Sequence, residues 1–293
     1  MLNTNKDRIV VQSVQGSISH PGAGRLPYRM DREGKGHNIP GTGGISYNVR
    51  VGDPAFGWAG DHIEPGVSMK ISDKSRSTDN YGLGLLACIG NKAKVVSGEA
   101  QGAEGYVTGL HGGINHVIID FEKDDMEEMK VGDEILVKAA GQGLELKDYP
   151  EIKVFNIAPE LLEKLGIEEN DGKLTVPVAA EIPGHIMGSG IGSSTVAMGD
   201  YDITTGDKEI MEEYGIDQLK LGDLVYLSNC DNTYGREYIT GAGSIGVVVH
   251  SDCIKMGHGP GVTTILTSKE SKLVPAIDPE ANIANYMESL KNE

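Results

Sequence analysis

The sequence predicts a mainly β protein, a β-rich α+β chain of two related halves with few short helices and a C-terminal helix. Short apolar and β-branched runs, each bounded by Gly, Pro, Asp or Asn, recur along the chain. The 293 residues include 41 glycines, and so many glycines without a collagen period indicate many tight turns and close backbone contacts. Apolar residues make up 39% and aromatic residues 5%, so an aliphatic core can form in one large or two modest domains.

The predicted strands are short and spread along the whole chain. Their ranges are 8–14, 93–96, 117–121, 134–138, 174–179, 224–227, 245–250 and 263–267.

Three segments carry helix signals. Residues 158–167 place Pro159 at a helix start and Gly166 at a C-cap, and residues 206–216 end at Gly215 in the same way. Residues 278–292 begin with Asp278 as a predicted N-cap, which predicts the C-terminal helix.

Two repeated patterns suggest the two halves. "MKVGDEILVKAAG" (129–141) resembles "LKLGDLVYLSNC" (219–230), and "VRVGDPAFGWAG" (49–60) is a weaker third copy. "GAEGYVTGLHGG" (102–113) pairs with "GAGSIGVVVHSD" (241–252), with glycines before a strand and a histidine after it. We therefore expect an N-terminal β-rich domain over 1–148 and a C-terminal β-rich domain over 149–293.

Charge and cysteine content limit the partners and the compartment. The formal net charge is −17 without a basic block, so nucleic acid and anionic membrane surfaces are poor partners. No apolar run approaches the ~20 residues of a membrane span, and the N-terminus lacks a signal pattern. The cysteines, Cys88, Cys230 and Cys253, are far apart and suggest no disulfide framework. We expect a cytoplasmic protein.

The segment "VVVHSDCIKMGHGPGVTT" (247–264) supplies the predicted catalytic residues. If 246–252 is extended, His250 and Asp252 share a face, and a histidine beside a carboxylate suits a general base or an oriented metal ligand. In "GHGPG", glycines expose His258, and backbone N–H groups near Gly259 and Gly261 can cradle an anion. The alternative is a polar strand end facing water and an ordinary turn. Cys253 lies on the other face, so a thiol nucleophile is not expected.

Further histidines and carboxylates lie in loops rich in glycine or proline. Histidine together with Asp or Glu suits Zn, Mn or Fe, although no spacing here is a specific metal signature. Asp200 shares a strand face with Asp202, a pair that could bind a cation or orient a histidine and that is more often solvated. The predicted metal ligands are His62, Glu64, His111, His116, His185 and Asp202.

Two arginines in glycine-bearing segments, Arg25 and Arg236, could bind a carboxylate or phosphate bidentately. They predict a small, anionic ligand. Surface ion pairs are the alternative.

The run 181–264, with "IPGHIMGSGIG", "GDYDI", "LKLGDLVYLSNCDNTYG" and "GVVVHSDCIKMGHGPGVT", resembles an uncharacterised bacterial and archaeal family of domains of unknown function. The resemblance covers nearly the whole chain. It implies a two-part, β-rich protein with no established activity.

The C-terminal half is also similar to the acetamidase/formamidase family, which is β-rich and hydrolyses amides with a metal. Asp202, Gly222–Asp223, His250 and His258 follow that family's order. The family's Gly-Gly-Asn-x-Asp stands here as "MGDYD", and its Gly-Asp-x-His as "VHSD", so metal ligands do not transfer from it.

These observations favour a metal-assisted hydrolase, acting on C–N bonds of a small, anionic molecule. The alternatives are a non-catalytic small-molecule-binding or regulatory protein, and a structural homo-oligomer whose glycines pack subunits closely. We expect a homo-oligomer in any case. Clustered histidines in the folded chain would favour the enzyme over the purely structural alternative.

Overall fold

The structure is a computed structural model that describes residues 2–22, 28–190 and 195–291. Its strands are β1 (Gln12–Ile18), β2 (Arg29–Met30), β3 (Gly36–His37), β4 (Ile45–Ser46), β5 (Gly66–Lys70), β6 (Lys92–Val95), β7 (Glu104–His111), β8 (His116–Phe121), β9 (Glu134–Ala139), β10 (Lys153–Val154), β11 (Glu168–Asn170), β12 (Lys173–Val178), β13 (Ala180–Pro183), β14 (Tyr201–Asp202), β15 (Leu224–Asp231), β16 (Glu237–His250), β17 (Gly261–Ser268) and β18 (Leu273–Ile277). The α-helices are α1 (Ser77–Leu86), α2 (Lys123–Glu128), α3 (Pro159–Lys164), α4 (Lys208–Glu213) and α5 (Ile283–Lys291), and short 3₁₀ helices span Lys6–Arg8, Lys74–Arg76, Gly184–Ile186 and Ile216–Gln218.

The N-terminal part is built on one sheet with the order β1-β9-β6-β7-β8-β5-β4. Strand β1 also pairs with β5, so the sheet closes on itself. Its interior is aliphatic, with Val67, Val107, Ile119 and Val137 fully buried, as the composition predicts.

The C-terminal part is built on a sheet with the order β10-β17-β16-β15-β13, in which β14 pairs with β17. A smaller sheet, β11-β12-β18, covers it, and β2 and β3 form a separate ribbon. This mainly β, two-part organisation with few short helices and a C-terminal helix confirms the predicted fold class. The first sheet ends at Ala139 and the second begins at Lys153, while the domain boundary at 148/149 stays a prediction.

The two sheets meet where β7 packs against β16 and β17. A Cβ on Gly109 would lie 2.5 Å from Val249 Cγ1, so the glycine allows the two strands to approach closely. The Thr263 hydroxyl donates to Leu110 O at 3.0 Å across the same contact. This contact fixes the relative position of the ends of β7 and β16.

The repeated Gly-Asp pattern forms the same turn in each of its copies. The glycine has a positive φ and the aspartate carboxylate accepts the backbone N–H of the residue three positions earlier. In the first turn, Gly132 has a φ of 96° and Lys130 N–H donates to the Asp133 carboxylate at 2.8 Å. In the second, Gly222 has a φ of 91° and Lys220 N–H donates to Asp223 at 2.7 Å. In the third, Gly52 has a φ of 97° and Arg50 N–H donates to Asp53 at 2.7 Å. Strands β9 and β15 follow the first two turns, and no strand directly follows the third.

Some element boundaries differ from the prediction. The first strand begins at Gln12 instead of residue 8, because a short 3₁₀ helix occupies Lys6–Arg8. Helix α5 begins at Ile283 rather than after Asp278, since Asn282 Oδ1 accepts the N–H of Ala284 at 2.9 Å and so caps the helix.

Helix α1 is not among the predicted helices, and it carries two glycines, Gly82 and Gly84. None of the helices in the described ranges has the length and apolar content needed to cross a bilayer.

Candidate metal centre

The candidate site lies at the ends of β7, β14 and β16, where the two sheets meet. His111 is the last residue of β7 and His250 the last residue of β16, and they occupy matching places in the repeated glycine-strand-histidine pattern. Their rings stack with centroids 4.3 Å apart. The packing of β7 on β16 therefore brings together histidines that lie far apart in the sequence.

Gly261 separates the side chains of His250 and Asp202. In the sheet, Gly261 pairs with His250 on one side and with Asp202 on the other. Directly paired side chains point to the same face, and glycine leaves the space between them open. A Cβ at Gly261 would lie 2.0 Å from Asp200 Oδ2 and 2.2 Å from His250 Nε2. Gly261, predicted to bind a ligand, thus makes room for the cluster.

His62 and His258 reach the cluster from loops. His62 has a φ of 53°, a left-handed conformation that is uncommon outside glycine and concentrates at functional sites. Its Nε2 lies 3.1 Å from His258 Nδ1 and 3.9 Å from Asp202 Oδ2. His258 Nδ1 lies 2.7 Å from Asp202 Oδ2. Asp202 is therefore a common neighbour of His62, His250 and His258.

In His62, His111 and His250, Nδ1 of the ring contacts a backbone or carboxylate oxygen. The pairs are Asp61 Oδ2 with His62 at 3.2 Å, Glu64 Oε1 with His111 at 2.5 Å, and Ser251 O with His250 at 2.8 Å. An acceptor on Nδ1 fixes the tautomer and leaves Nε2 with a lone pair, which is the usual arrangement around metal-binding histidines.

Glu64, predicted as a metal ligand, instead holds two histidines. Its carboxylate also lies 2.9 Å from His116 Nδ1, and it accepts the N–H of Gly43 at 2.9 Å and the hydroxyl of Ser68. Burial raises the pKa of Glu64, but hydrogen bonds from His111 and His116 outweigh burial and hold that pKa well below its usual range. His116, also a predicted ligand, contacts Glu64, the carboxylate that holds His111, rather than Asp202.

Asp61 orders the other side of the cluster. Besides His62, it contacts the guanidinium of Arg29 and the thiol of Cys253, whose Sγ lies 2.8 Å from Asp61 Oδ1. Burial raises its pKa, yet the hydrogen bonds from His62 and Cys253 and the charge of Arg29 lower it overall. Burial lowers the pKa of His62 despite Asp61, which favours the neutral imidazole that a metal needs.

Asp200 and Asp202 complete the cluster with carboxylates. Asp200 Oδ2 lies 2.8 Å from His250 Nε2, but neither atom has a partner in hydrogen-bond geometry although both are buried. Asp200 Oδ1 accepts the N–H of Gly112 at 2.7 Å. Burial raises the pKa of Asp202, but hydrogen bonds from His250 and His258 lower it overall. Burial lowers the pKa of His250, but its contacts with Asp200 and Asp202 raise it well above the usual value, so a metal there would displace a proton. Buried polar atoms without a hydrogen-bond partner call for an explanation, and a shared cation is one that fits the pair of Asp200 Oδ2 and His250 Nε2.

The described residues offer three sets of ligand atoms, each set within 4.8 Å. The sets are His62, Asp202 and His250; His111, Asp200 and His250; and His62, Cys253 and His258. The first two combine imidazole nitrogen with carboxylate oxygen, a donor set that fits Zn, Mn or Fe.

A cleft of about 700 Å³ opens onto the cluster, large enough for a small molecule. His62, His111, Asp200, Asp202 and His258 lie along its wall. The rest of the wall includes Tyr81, Asn115, Ser189, Gly190 and Thr195.

Several predicted site residues lie elsewhere. β16 ends at His250, so the predicted shared face with Asp252 is wrong, and Asp252 accepts the hydroxyl of Thr205 at 2.7 Å. His185 is exposed and outside the cluster. Arg236 donates to Met187 O rather than lining the cleft, and Arg25 lies outside the described residues.

Gly259 has a packing role, because a Cβ there would lie 1.9 Å from Ile203 O. The predicted metal ligands do not include Asp61 or Asp200. Asp200 entered the prediction only as a residue that shares a strand face with Asp202. The adjacency of Asp61 to His62 and the alternation in "GDYD" are the sequence signals that point to them.

Comparisons with known proteins agree with this two-part architecture. Residues 28–163 match the N-terminal domain, and residues 164–287 the C-terminal domain, of the family described as "Domain of unknown function (DUF4438)". The chain belongs to the DUF4438 family. It is similar to the solved structure titled "Crystal structure of TM1086", with a TM-score of 0.92 and 52% identity over 97% of this chain and 99% of that chain. No curated protein matches the DUF4438 chain. The similarity to the acetamidase/formamidase family is not shown by these comparisons.

Proposed function

We propose that this protein binds a divalent transition metal between His62, Asp202 and His250 and hydrolyses a small molecule held in the adjoining cleft. The observation that carries the proposal is the orientation of the rings. His62, His111 and His250 each have Nδ1 on an oxygen acceptor, which leaves Nε2 available beside Asp200 and Asp202. Metal-binding histidines are held in this way.

The chemistry of the surroundings supports hydrolysis over a purely structural ion. Structural zinc sites are closed by protein ligands, whereas catalytic sites keep a position open to water or substrate. Here His62 and Asp202 lie on the wall of an open cleft, whereas His250 is fully buried and does not line it. A metal in this position supplies Lewis acidity and lowers the pKa of its water.

The lining of the cleft bears on the charge of the substrate. Neither Arg236 nor any other described arginine or lysine lines the cleft, so an anionic ligand stays a prediction that depends on Arg25. Small amides remain the first class to test, with esters and phosphoesters beside them.

The test combines metal analysis with hydrolysis assays. Freshly purified protein is expected to hold about one or more equivalents of metal, to lose hydrolysis on chelation and to regain it with Zn²⁺ or Mn²⁺. Asp202→Asn should lose both metal and activity, whereas the matched variant Asp217→Asn, whose side chain is exposed on the 3₁₀ helix Ile216–Gln218, should keep both. Metal content well under one equivalent, with no gain on adding either metal, would contradict the proposal. Metal binding without turnover of any substrate class would favour the non-catalytic binding protein.

A further inference from the structure

The ligand atoms fall into two groups on either side of Asp202. Asp202 Oδ2 faces His258 Nδ1 at 2.7 Å and His62 Nε2 at 3.9 Å. Asp202 Oδ1 faces His250 Nε2 at 3.3 Å. The two oxygens of one carboxylate therefore point towards different histidines.

The group on the Oδ1 side is complete enough to hold a metal by itself. His250 Nε2 lies 2.8 Å from Asp200 Oδ2, and His111 joins this pair to form a set within 4.8 Å. Both His250 Nε2 and Asp200 Oδ2 are buried without a hydrogen-bond partner. Two imidazole nitrogens and a carboxylate thus form a second ligand set, which shares only His250 with the set of His62, Asp202 and His250.

A single ion cannot account for both groups equally. An imidazole nitrogen has one lone pair, so His250 Nε2 serves one metal only. If His250 binds the ion beside Asp200, then His62, His258 and Asp202 Oδ2 remain for a second ion. A carboxylate that offers one oxygen to each ion is suited to the roughly 3.5–4 Å separation of two-metal sites.

We infer that the centre binds two metal ions, one held by His62 and His258, the other by His111, His250 and Asp200, with Asp202 bridging them. The inference rests on the metal binding proposed above, but it assigns His250 to the second ion, so that His62, His258 and Asp202 hold the first. Paired metals of this kind clamp the attacking and the leaving oxygen of a displacement reaction. The second position therefore gives Asp200 and His111 a ligand role.

The test is the number of Mn²⁺ or Zn²⁺ ions bound by chelator-treated, reconstituted full-length protein. Wild type is expected to bind about two equivalents. His258→Ala and Asp200→Asn, one from each group, should each bind about one. His185→Ala changes an exposed histidine outside the cluster and should bind two. Circular dichroism and thermal melting of every variant establish that it is folded.

Electron paramagnetic resonance of the Mn²⁺-loaded protein gives an independent readout. Two bridged ions should produce an exchange-coupled spectrum in wild type, and either single-group variant should show the spectrum of isolated Mn²⁺. One equivalent in wild type with an uncoupled spectrum would overturn the two-metal inference and leave the proposed function standing. No metal binding by wild type would overturn both.

Discussion

His111 and His250 end strands in different sheets, yet their rings stack with centroids 4.3 Å apart. The contact follows from the packing of β7 on β16, which glycine at position 109 makes possible. The candidate centre is therefore built at the junction of the two parts of the chain. Disturbing either part should disturb metal binding.

Gly261→Ala should abolish most metal binding while the protein stays folded. The added Cβ would lie 2.0 Å from Asp200 Oδ2 and 2.2 Å from His250 Nε2, so these ligands must separate. We expect metal affinity to fall about tenfold or more and stability to fall by about 1–3 kcal/mol from overpacking.

Gly82→Ala in α1 is the matched control, because a Cβ there meets nothing within 4 Å. It should stabilise the protein by about 0.5–1 kcal/mol and leave metal affinity unchanged. Isothermal titration with Zn²⁺ and urea unfolding measure both variants. If Gly261→Ala bound Zn²⁺ as tightly as wild type, the metal could not lie between the side chains of His250 and the two aspartates, Asp200 and Asp202.

Glu64→Gln should weaken metal binding, although we assign Glu64 the role of holding His111 and His116 rather than that of a ligand. The carboxylate accepts from both His111 and His116, whereas an amide offers one oxygen and one NH₂ group, so one ring loses its acceptor. Losses of 10- to 100-fold in affinity are usual for such partners. Competition with a chromophoric chelator measures the change. Glu104→Gln, an exposed control paired with Lys94, should bind as wild type, and equal affinities in both variants would refute the orienting role.

Cys253→Ser should keep full metal binding. The thiol lies 2.8 Å from Asp61 Oδ1, and burial, followed by Asp61 itself, raises the pKa of Cys253. It therefore stays protonated and orders Asp61, a role that serine can fill. Absorption spectra of the Co²⁺-loaded protein decide the point, since a thiolate ligand gives an intense near-ultraviolet charge-transfer band. Such a band in wild type, absent in the variant, would make Cys253 a ligand.

The turn at Asp223 should give a stability contribution that grows as pH falls. Burial raises the pKa of Asp223 above its usual 3.8, although the Lys220 N–H and the Asn282 side chain lower it in part. A carboxyl with a raised pKa in the folded state binds protons more tightly when folded. Its contribution is therefore full below 3.8 and is lost as pH rises through the folded-state pKa.

Urea unfolding of wild type and Asp223→Asn at several pH values isolates this contribution. The free energy of unfolding of wild type, minus that of the variant, should increase from neutral pH towards 3.8. If the difference were constant or decreased over this range, the pKa of Asp223 would not be raised in the folded state.

Much of the fold could be predicted from local sequence because turn residues and β-branched runs are adjacent in the chain. Gly166 and Gly215, predicted as C-caps, have φ of 68° and 64°. The repeated pattern of glycines, strand and histidine predicts a strand before each of His111 and His250, although only 245–250 is among the predicted strand ranges. The start of α5 was missed because Asn282, rather than Asp278, supplies the cap.

The site could be predicted only in part, because its geometry depends on contacts distant in sequence. His62 and His258 are 196 positions apart, and no local pattern determines that their rings meet. The predicted shared face of His250 and Asp252 required the strand to continue, but β16 ends at His250. His185 and the cluster histidines have similar glycine-rich contexts, and only the packing of the sheets separates them.

The most direct test of the account is a crystal structure of the metal-loaded protein with anomalous scattering at the Zn or Mn edge. We expect anomalous density about 2.0–2.2 Å from Nε2 of His250 and from a carboxylate oxygen of Asp202 or Asp200. Anomalous density confined to exposed positions such as His185, or none within bonding distance of His250, would contradict it.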